Sequence, residues 1–289
     1  MARYVLAILL ALAAAGCQSA GPRVALSREQ ANQLNFALSG PVAVDNAGKL
    51  YLAANSTLIQ YDLKRNRLDE LLNDPCPMIR GLAVTDDGIV LVLQPRELSA
   101  YVAGYLVTLY PLPSDAFALS YDRGFAYVLV THDEGARLLR IDLEGPSQGN
   151  IRSLLTSADR PDALCAVRGG CLVAAGGNIV KVTDPADDGS DSEIATVLLV
   201  AMGEPITSVT ADQAKRIVYF TTAETTYAWI EGQIVPVFPA GNRLAWNKDT
   251  LTICRAGQAD SQIIQVPGIS RLAGGLVKSL AGGAYPEQP

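Results

Sequence analysis

The chain has one histidine, His132, and that limits its chemistry at once. A multi-histidine metal site is excluded, and any Ser-His-Asp or Cys-His arrangement would have to run through this one residue. His132 stands in Val130-Thr131-His132-Asp133-Glu134-Gly135, where a general base is chemically conceivable. No Ser or Cys with a nucleophile signature lies beside it, so it reads as a loop histidine. The densest acidic stretch runs from Asp184 through Asp187, Asp188, Gly189 and Asp191 to Glu193. In a calcium-loop register with Gly189 sixth, positions three and twelve should supply oxygen, but Ala186 and Ala195 stand there. The register fails, and the stretch reads as a solvated connection between strands.

Apart from Cys17, the cysteines are Cys76, Cys165, Cys171 and Cys254. An even count permits disulfides in an oxidising compartment, and four cysteines allow three pairings. Cys165 and Cys171 flank a short turn and could approach across a hairpin. Small buried hydrophobes in strands fit all four equally well.

The elements that must position these residues begin with an address. Met1 to Arg3 is cationic, and Tyr4 to Ala15 is apolar but shorter than the ~20 residues of a membrane span. Small residues close it, as in a secretory signal peptide. Ala14-Ala15-Gly16-Cys17 resembles the lipobox of bacterial lipoproteins. That resemblance implies cleavage before Cys17, a diacylated sulfur and an acylated amine, with palmitate among the chains. Three acyl chains exceed the two-signal threshold for stable anchoring. Gln18, rather than Asp, at the second mature position resembles an outer-membrane address facing the periplasm or the cell surface. Gln18 to Pro22 is a small polar tether.

The body repeats one phrase: an apolar strand, a turn with Asp, Asn or Gly, and a second apolar strand. It appears at Val42–Leu52, Leu82–Leu91, Ala118–Val128, Leu164–Val173 and Ser208–Tyr219, and more weakly at Leu244–Ile253. Turn glycines at 48, 88, 124 and 170 supply the positive φ that tight hairpins need. A third and a fourth strand follow each copy, as at Leu58–Asp62 and Ile194–Val200. Four strands per unit at roughly 40 residues is the signature of propeller blades. Long amphipathic helices do not alternate with the strands, which argues against a parallel α/β sheet. Tyr51, Tyr127 and Tyr219 recur at one blade position, which points to packing between blades.

The phrase Val44-Asp45-Asn46-Ala47-Gly48-Lys49-Leu50-Tyr51 resembles NHL-type repeats and the blades of SMP-30/gluconolactonase-like proteins. The resemblance spans about Leu38 to Leu272 and implies an all-β, six-bladed β-propeller. The expected organisation is a lipoprotein signal peptide at 1–16, a lipidated Cys and tether at 17–35, the propeller at 36–280 and a loose tail at 281–289. Ser27-Arg28-Glu29-Gln30 reads as a capping box opening a short helix near 28–35. The strand that closes the last blade is expected from Ile269–Ala273 or from Arg23–Leu26.

In such a propeller two sets of loops gather around one mouth of the channel. They carry Arg80, Arg96, Asp115, His132, Asp133, Arg160, Asp162, Glu204, Glu224, Asn242 and Arg243, with Asn55, Gln94, Glu97 and Glu134 in the same loops. Mixed charge suits a polar partner or ligand. The lactonase resemblance implies a channel-mouth divalent ion, such as Ca²⁺, for which Asp115, Asp162, Glu204 and Asn242 stand at suitable positions. The first blade opens as Leu38-Ser39-Gly40-Pro41 and brings no carboxylate there, so the family's motif is not matched residue by residue. With 23 Lys plus Arg against 29 Asp plus Glu, the net charge is -6, which argues against nucleic acid as a partner. The sequence therefore points to a lipid-anchored envelope propeller that binds or scaffolds an envelope protein, with no resident cofactor and with binding favoured over catalysis, which stays open. A metal-dependent hydrolase and a receptor for a small polar ligand are the alternatives.

Overall fold

A computed structural model describes residues 30–34, 38, 40–54, 56–76, 78–133, 135–184, 194–256 and 261–281. The stretches expected as a signal peptide at 1–16 and as a tether before residue 30, with Cys17, Asn55, Glu134, the acidic stretch at 185–193 and residues 282–289, lie outside them. The strands form six four-stranded antiparallel sheets. Blade 1 is β2 (Val42–Val44), β3 (Leu50–Ala54), β4 (Thr57–Asp62) and β5 (Arg67–Glu70); blade 2 is β6 (Gly81–Val84), β7 (Val90–Gln94), β8 (Glu97–Val102) and β9 (Tyr105–Pro111). Blade 3 is β10 (Ala116–Asp122), β11 (Phe125–His132), β12 (Gly135–Asp142) and β13 (Ile151–Ser157). Blade 4 is β14 (Ala163–Val167), β15 (Gly170–Ala175), β16 (Asn178–Thr183) and β17 (Ala195–Ala201). Blade 5 is β18 (Ser208–Asp212), β19 (Ile217–Thr221), β20 (Thr225–Ile230) and β21 (Gln233–Pro239). Blade 6 is β22 (Arg243–Asn247), β23 (Thr250–Ala256) and β24 (Ser261–Pro267), completed by β1 (Gln30–Leu34).

The inner strands β2, β6, β10, β14, β18 and β22 touch in sequence, and β22 returns to β2, so the ring is closed. The fold is a six-bladed β-propeller. Its core is divided into six apolar clusters, one at each blade interface. Each second strand is packed on both faces and therefore reads as a continuous apolar run; all of Leu50–Ala54 is buried. Tyr51, Tyr127 and Tyr219 are buried at these interfaces as expected. Close approach is needed where inner strands begin. A Cβ on Gly81 would lie 2.5 Å from the Leu119 Cβ of blade 3.

The turn glycines Gly48, Gly88 and Gly124 have φ of 85°, 89° and 83°. The glycine-free fifth and sixth copies bend the same way by placing Arg216 and Lys248 at φ 56° and 53°. The sixth copy therefore looks weaker in sequence although its hairpin is complete.

Ring closure differs from both sequence expectations. The stretch expected as a helix at 28–35 contains strand β1, paired antiparallel with β24 from Gln30↔Gln265 to Leu34↔Ser261. The propeller sheet thus reaches into the stretch assigned to the tether. Ile269–Ala281 forms helix α1 instead of a closing strand. The capping-box pattern was outweighed by an unpaired edge on β24, which gives an extended segment a full set of backbone partners. Helix α1 buries Ile269 and Ala273 against the cluster between blades 5 and 6. No helix among the described residues is long and apolar enough to cross a membrane.

Candidate binding face

Strand direction sorts the loops into two faces. The loops that lead into each inner strand, and those joining second to third strands, form the upper face. The remaining turns form the lower face. All eleven candidate residues, from Arg80 to Arg243, fall in or at the ends of upper-face loops.

The lower face is bonded to itself around the ring. Asn46 donates to the Asp86 carbonyl at 3.4 Å, and the Tyr121 hydroxyl to the Asp86 carboxylate at 3.4 Å. Gln213 donates to Asp122 at 3.2 Å and accepts from the Arg168 amide at 2.9 Å, joining blades 3, 4 and 5. Lys215 meets Asp249 at 2.7 Å, and Asn247 donates to the Asp45 carbonyl at 2.8 Å. These side chains help hold the blades in register.

The upper face is different. Among the described residues one side-chain ion pair spans two blades there, Arg96 Nε to Asp115 Oδ1 at 2.6 Å. The Arg160 guanidinium lies over the Phe117 ring at 4.6 Å. Asp162 accepts from the Gly176 amide at 3.3 Å, Glu204 from the Tyr227 hydroxyl at 3.5 Å, and Arg243 donates to the Asn242 carbonyl at 3.0 Å. His132 ends β11 opposite Gly135 and is half-buried. Arg80, Asp133 and Glu224 are exposed. The face thus carries both signs of charge from successive blades, with most of its carboxylates and cations open to solvent.

Of the four residues the lactonase resemblance offered to a metal, Asp115 pairs with Arg96, Asp162 accepts from the Gly176 amide of the β15–β16 turn, and Glu204 accepts from the Tyr227 hydroxyl of blade 5. Among the described residues no three His, Cys, Asp or Glu side chains group to hold a metal ion.

One concave feature of the upper face was not legible in the sequence. A cavity of about 250 Å³ opens between blades 1 and 2, lined by Gly40, Ala53, Ala54, Ser56, Thr57, Cys76, Met78, Ile79 and Arg80. Arg80 alone was singled out beforehand. The other walls are small or apolar residues from the β3–β4 turn and the β5–β6 connection, brought together by the Cys76 amide donating to the Ser56 carbonyl at 2.6 Å. No local motif marks such a meeting.

The hairpin disulfide considered for Cys165 and Cys171 is not made. Cys165 stands opposite Leu172, and Cys171 opposite Ala166, so the two side chains leave opposite faces of the blade. Cys165 packs toward blade 5 and Cys171 toward blade 3. Cys76, Cys165, Cys171 and Cys254 are all free thiols. Burial pushes the Cys165 and Cys254 thiols up to about 12 and raises Cys76 and Cys171 as well. These thiols are therefore expected to resist alkylation at neutral pH in the folded protein, and all four to react once it is unfolded. Mass spectrometry after native and denatured labelling checks this; rapid native labelling of Cys171 or Cys254 would contradict the burial. The same shifts mean that stability falls as pH rises past the ordinary thiol value of 9.0, because only unfolded thiols then ionise.

No protein-family model and no curated protein matches the sequence. Among solved structures the chain is similar in fold to a gluconolactonase from Xanthomonas campestris, with TM-score 0.68 at 12% identity, covering 84% of this chain and 91% of that one. It is also similar to virginiamycin B lyase from Staphylococcus aureus, with TM-score 0.55 at 13% identity, covering 82% and 99%. A chain of the mitotic checkpoint complex aligns with TM-score 0.59 at 9% identity, covering 82% and 91%. These are a lactonase, a lyase and a member of a checkpoint assembly, so what is shared is the propeller itself.

Proposed function

We propose that this chain is a lipid-anchored binding or scaffolding module of the cell envelope, docking an envelope protein on its upper face. The observation that carries the reading is the contrast between the two faces. The lower face links successive blades through side-chain hydrogen bonds and an ion pair, whereas the upper face leaves Arg80, Asp133, Glu224 and Arg243 exposed on separate blades. A rigid disc with a charged, mixed-sign rim suits electrostatic complementarity with another protein. The lipobox-like Cys17 supplies the anchor in this reading, at an outer membrane, on its periplasmic or outer side. No resident cofactor and no nucleic acid partner are part of it. The cavity beside Arg80 favours a second reading, a receptor for a small polar ligand. A calcium-dependent hydrolase rests on likeness of fold, and the committed carboxylates do not add to it.

The test is affinity capture from detergent-solubilised envelopes with the full-length protein as bait. The expected result is one stoichiometric partner, recovered at least about tenfold less well by an Arg80→Glu/Arg160→Glu/Arg243→Glu variant, since mispaired charges at an interface cost several kcal/mol. Equal recovery by the variant would remove the upper face from the interaction. No partner from either bait, together with calcium-dependent lactone hydrolysis, would replace the docking reading with the enzyme.

A further inference from the structure

The lower face is electrically divided, and the division coincides with the point where the tether leaves the propeller. In blades 5 and 6 the exposed side chains include Lys215 and Arg216 of the β18–β19 turn, Lys248 of the β22–β23 turn, and Arg271 and Lys278 of α1. These elements are drawn together. Lys215 Nζ reaches Asp249 at 2.7 Å, and the Gly268 amide at the start of α1 donates to the Asp249 carbonyl at 2.7 Å. Of the carboxylates in this sector, Asp212 is buried against Ser270, Asp249 is engaged by Lys215, and Glu231 is exposed. Across the ring, the lower turns of blades 2 and 3 expose Asp86, Asp87 and Glu144 with one cation, Arg123, and the exposed cations Lys64 and Arg65 of blade 1 and Arg168 of blade 4 stand outside the cluster formed by blades 5 and 6 with α1. In a chain of net charge -6 such a cationic sector runs against the average.

Strand polarity places the tether beside it. Because β1 is antiparallel to β24 and Gln30 faces Gln265, the chain enters the propeller at the lower end of blade 6. The ~13 residues from Cys17 to Gln30 span at most about 45 Å when extended. A lipid on Cys17 would therefore hold the lower end of blade 6, where the chain enters, within about 45 Å of the bilayer.

We propose that the lower surface of blades 5 and 6 with α1 seats on the anionic phospholipid headgroups of the membrane, leaving the upper face directed away from it. The orientation rests on the lipid-anchor reading of Cys17; the attraction to anionic lipid rests on the charges alone. A single lipid-type signal combined with a polybasic surface is a recurrent route to firm membrane association.

The test partitions the chain from Gln18 onward, which keeps every described residue but carries no acyl anchor, onto vesicles of pure phosphatidylcholine and onto vesicles that also contain phosphatidylglycerol, at low and at high salt. It is paired with the same chain carrying Arg216→Gln/Lys248→Gln/Arg271→Gln/Lys278→Gln, whose sites are solvent-facing and leave the Lys215–Asp249 pair intact. Each cation near an anionic surface is worth about fivefold in partitioning. The unsubstituted chain is expected to prefer the anionic vesicles at least about tenfold at low salt, to lose that preference at high salt, and the variant to show almost none. An unsubstituted chain indifferent to phosphatidylglycerol, or a variant that keeps the preference, overturns the proposal. Retention of the full-length protein on neutral vesicles, compared with Cys17→Ser, reports the anchor separately, so either reading can fail while the other is read.

Discussion

Replacing Arg140 with methionine should lower stability by about 3–5 kcal/mol, the usual consequence of leaving buried charges without their partner. Arg140 of β12 is almost wholly buried between blades 3 and 4. Its Nε and Nη2 meet the two Asp142 oxygens at 2.8 and 3.3 Å, and its Nη1 meets Asp184 at 2.5 Å. The guanidinium also lies over the Phe125 ring at 4.6 Å. Burial alone would lower its pKa, but the Asp184 and Asp142 carboxylates outweigh this and hold the guanidinium firmly charged. Two carboxylates and one cation thus form a desolvated unit that crosses a blade interface, where the geometry is bidentate on one side and single on the other. Methionine fills similar volume but leaves Asp142 and Asp184 buried with no cation except Arg152, 3.7 Å from Asp184 and half-exposed. For a domain of this size the expected fall in melting temperature is about 10 °C. Adding Asp142→Asn and Asp184→Asn should recover much of the loss, because the penalty comes from charge and not from volume. A calorimetric comparison of the three proteins decides; if Arg140→Met alone melts like the wild type, the network is not a stabilising element.

The contrast between what could be read from sequence and what could not follows the range of the interactions. The blade count was legible because each hairpin is local: an apolar run, a turn residue tolerant of positive φ, a second apolar run. Gly48, Gly88 and Gly124 sit at that turn position, and the loops to which the eleven candidate residues were assigned are the upper-face loops. Closure was not legible. Gln30–Leu34 is a weak strand former by composition, and it becomes a strand because β24, more than 200 residues later, offers an unpaired edge. The same holds for the Cys165–Cys171 pair, where spacing along a hairpin suggested proximity but the alternation of the strand sends the thiols apart. The cavity beside Arg80 and the charge division of the lower face are likewise products of assembly. Neither has a local signature, because each is built from residues in different blades.

Removing the chain through Leu34 should abolish the cooperative fold, or lower its melting temperature by well over 10 °C, whereas a chain beginning at Ser27 should melt like the full-length protein. Among the described residues, β1 alone of the outer strands comes from the opposite end of the chain to its blade. It fastens the N-terminus to the last blade through five register pairs, from Gln30↔Gln265 to Leu34↔Ser261. Leu34 is 3% exposed, and the Leu38 amide just beyond it donates to the Ser261 hydroxyl at 2.8 Å. Losing Leu34 forfeits about 1.5–3 kcal/mol of burial. The larger loss is topological. Without β1 the first and last blades still meet through their inner strands, the Leu38–Ser261 and Asn247–Asp45 hydrogen bonds and the cluster of Leu50, Leu52, Cys254 and Ile263, but the strand ladder between the two ends of the chain is gone. The freed edge of β24 would also present unpaired backbone groups, an open template for pairing with another chain. Calorimetry together with size-exclusion chromatography reads both effects: a broad or missing transition, and a shift to large species. If the chain lacking β1 stays monomeric and melts within a few degrees of the full-length protein, then the inner ring and blade interfaces close the propeller by themselves. In that case the tether could move independently of the disc, and the orientation inferred for the lower face would lose its structural basis.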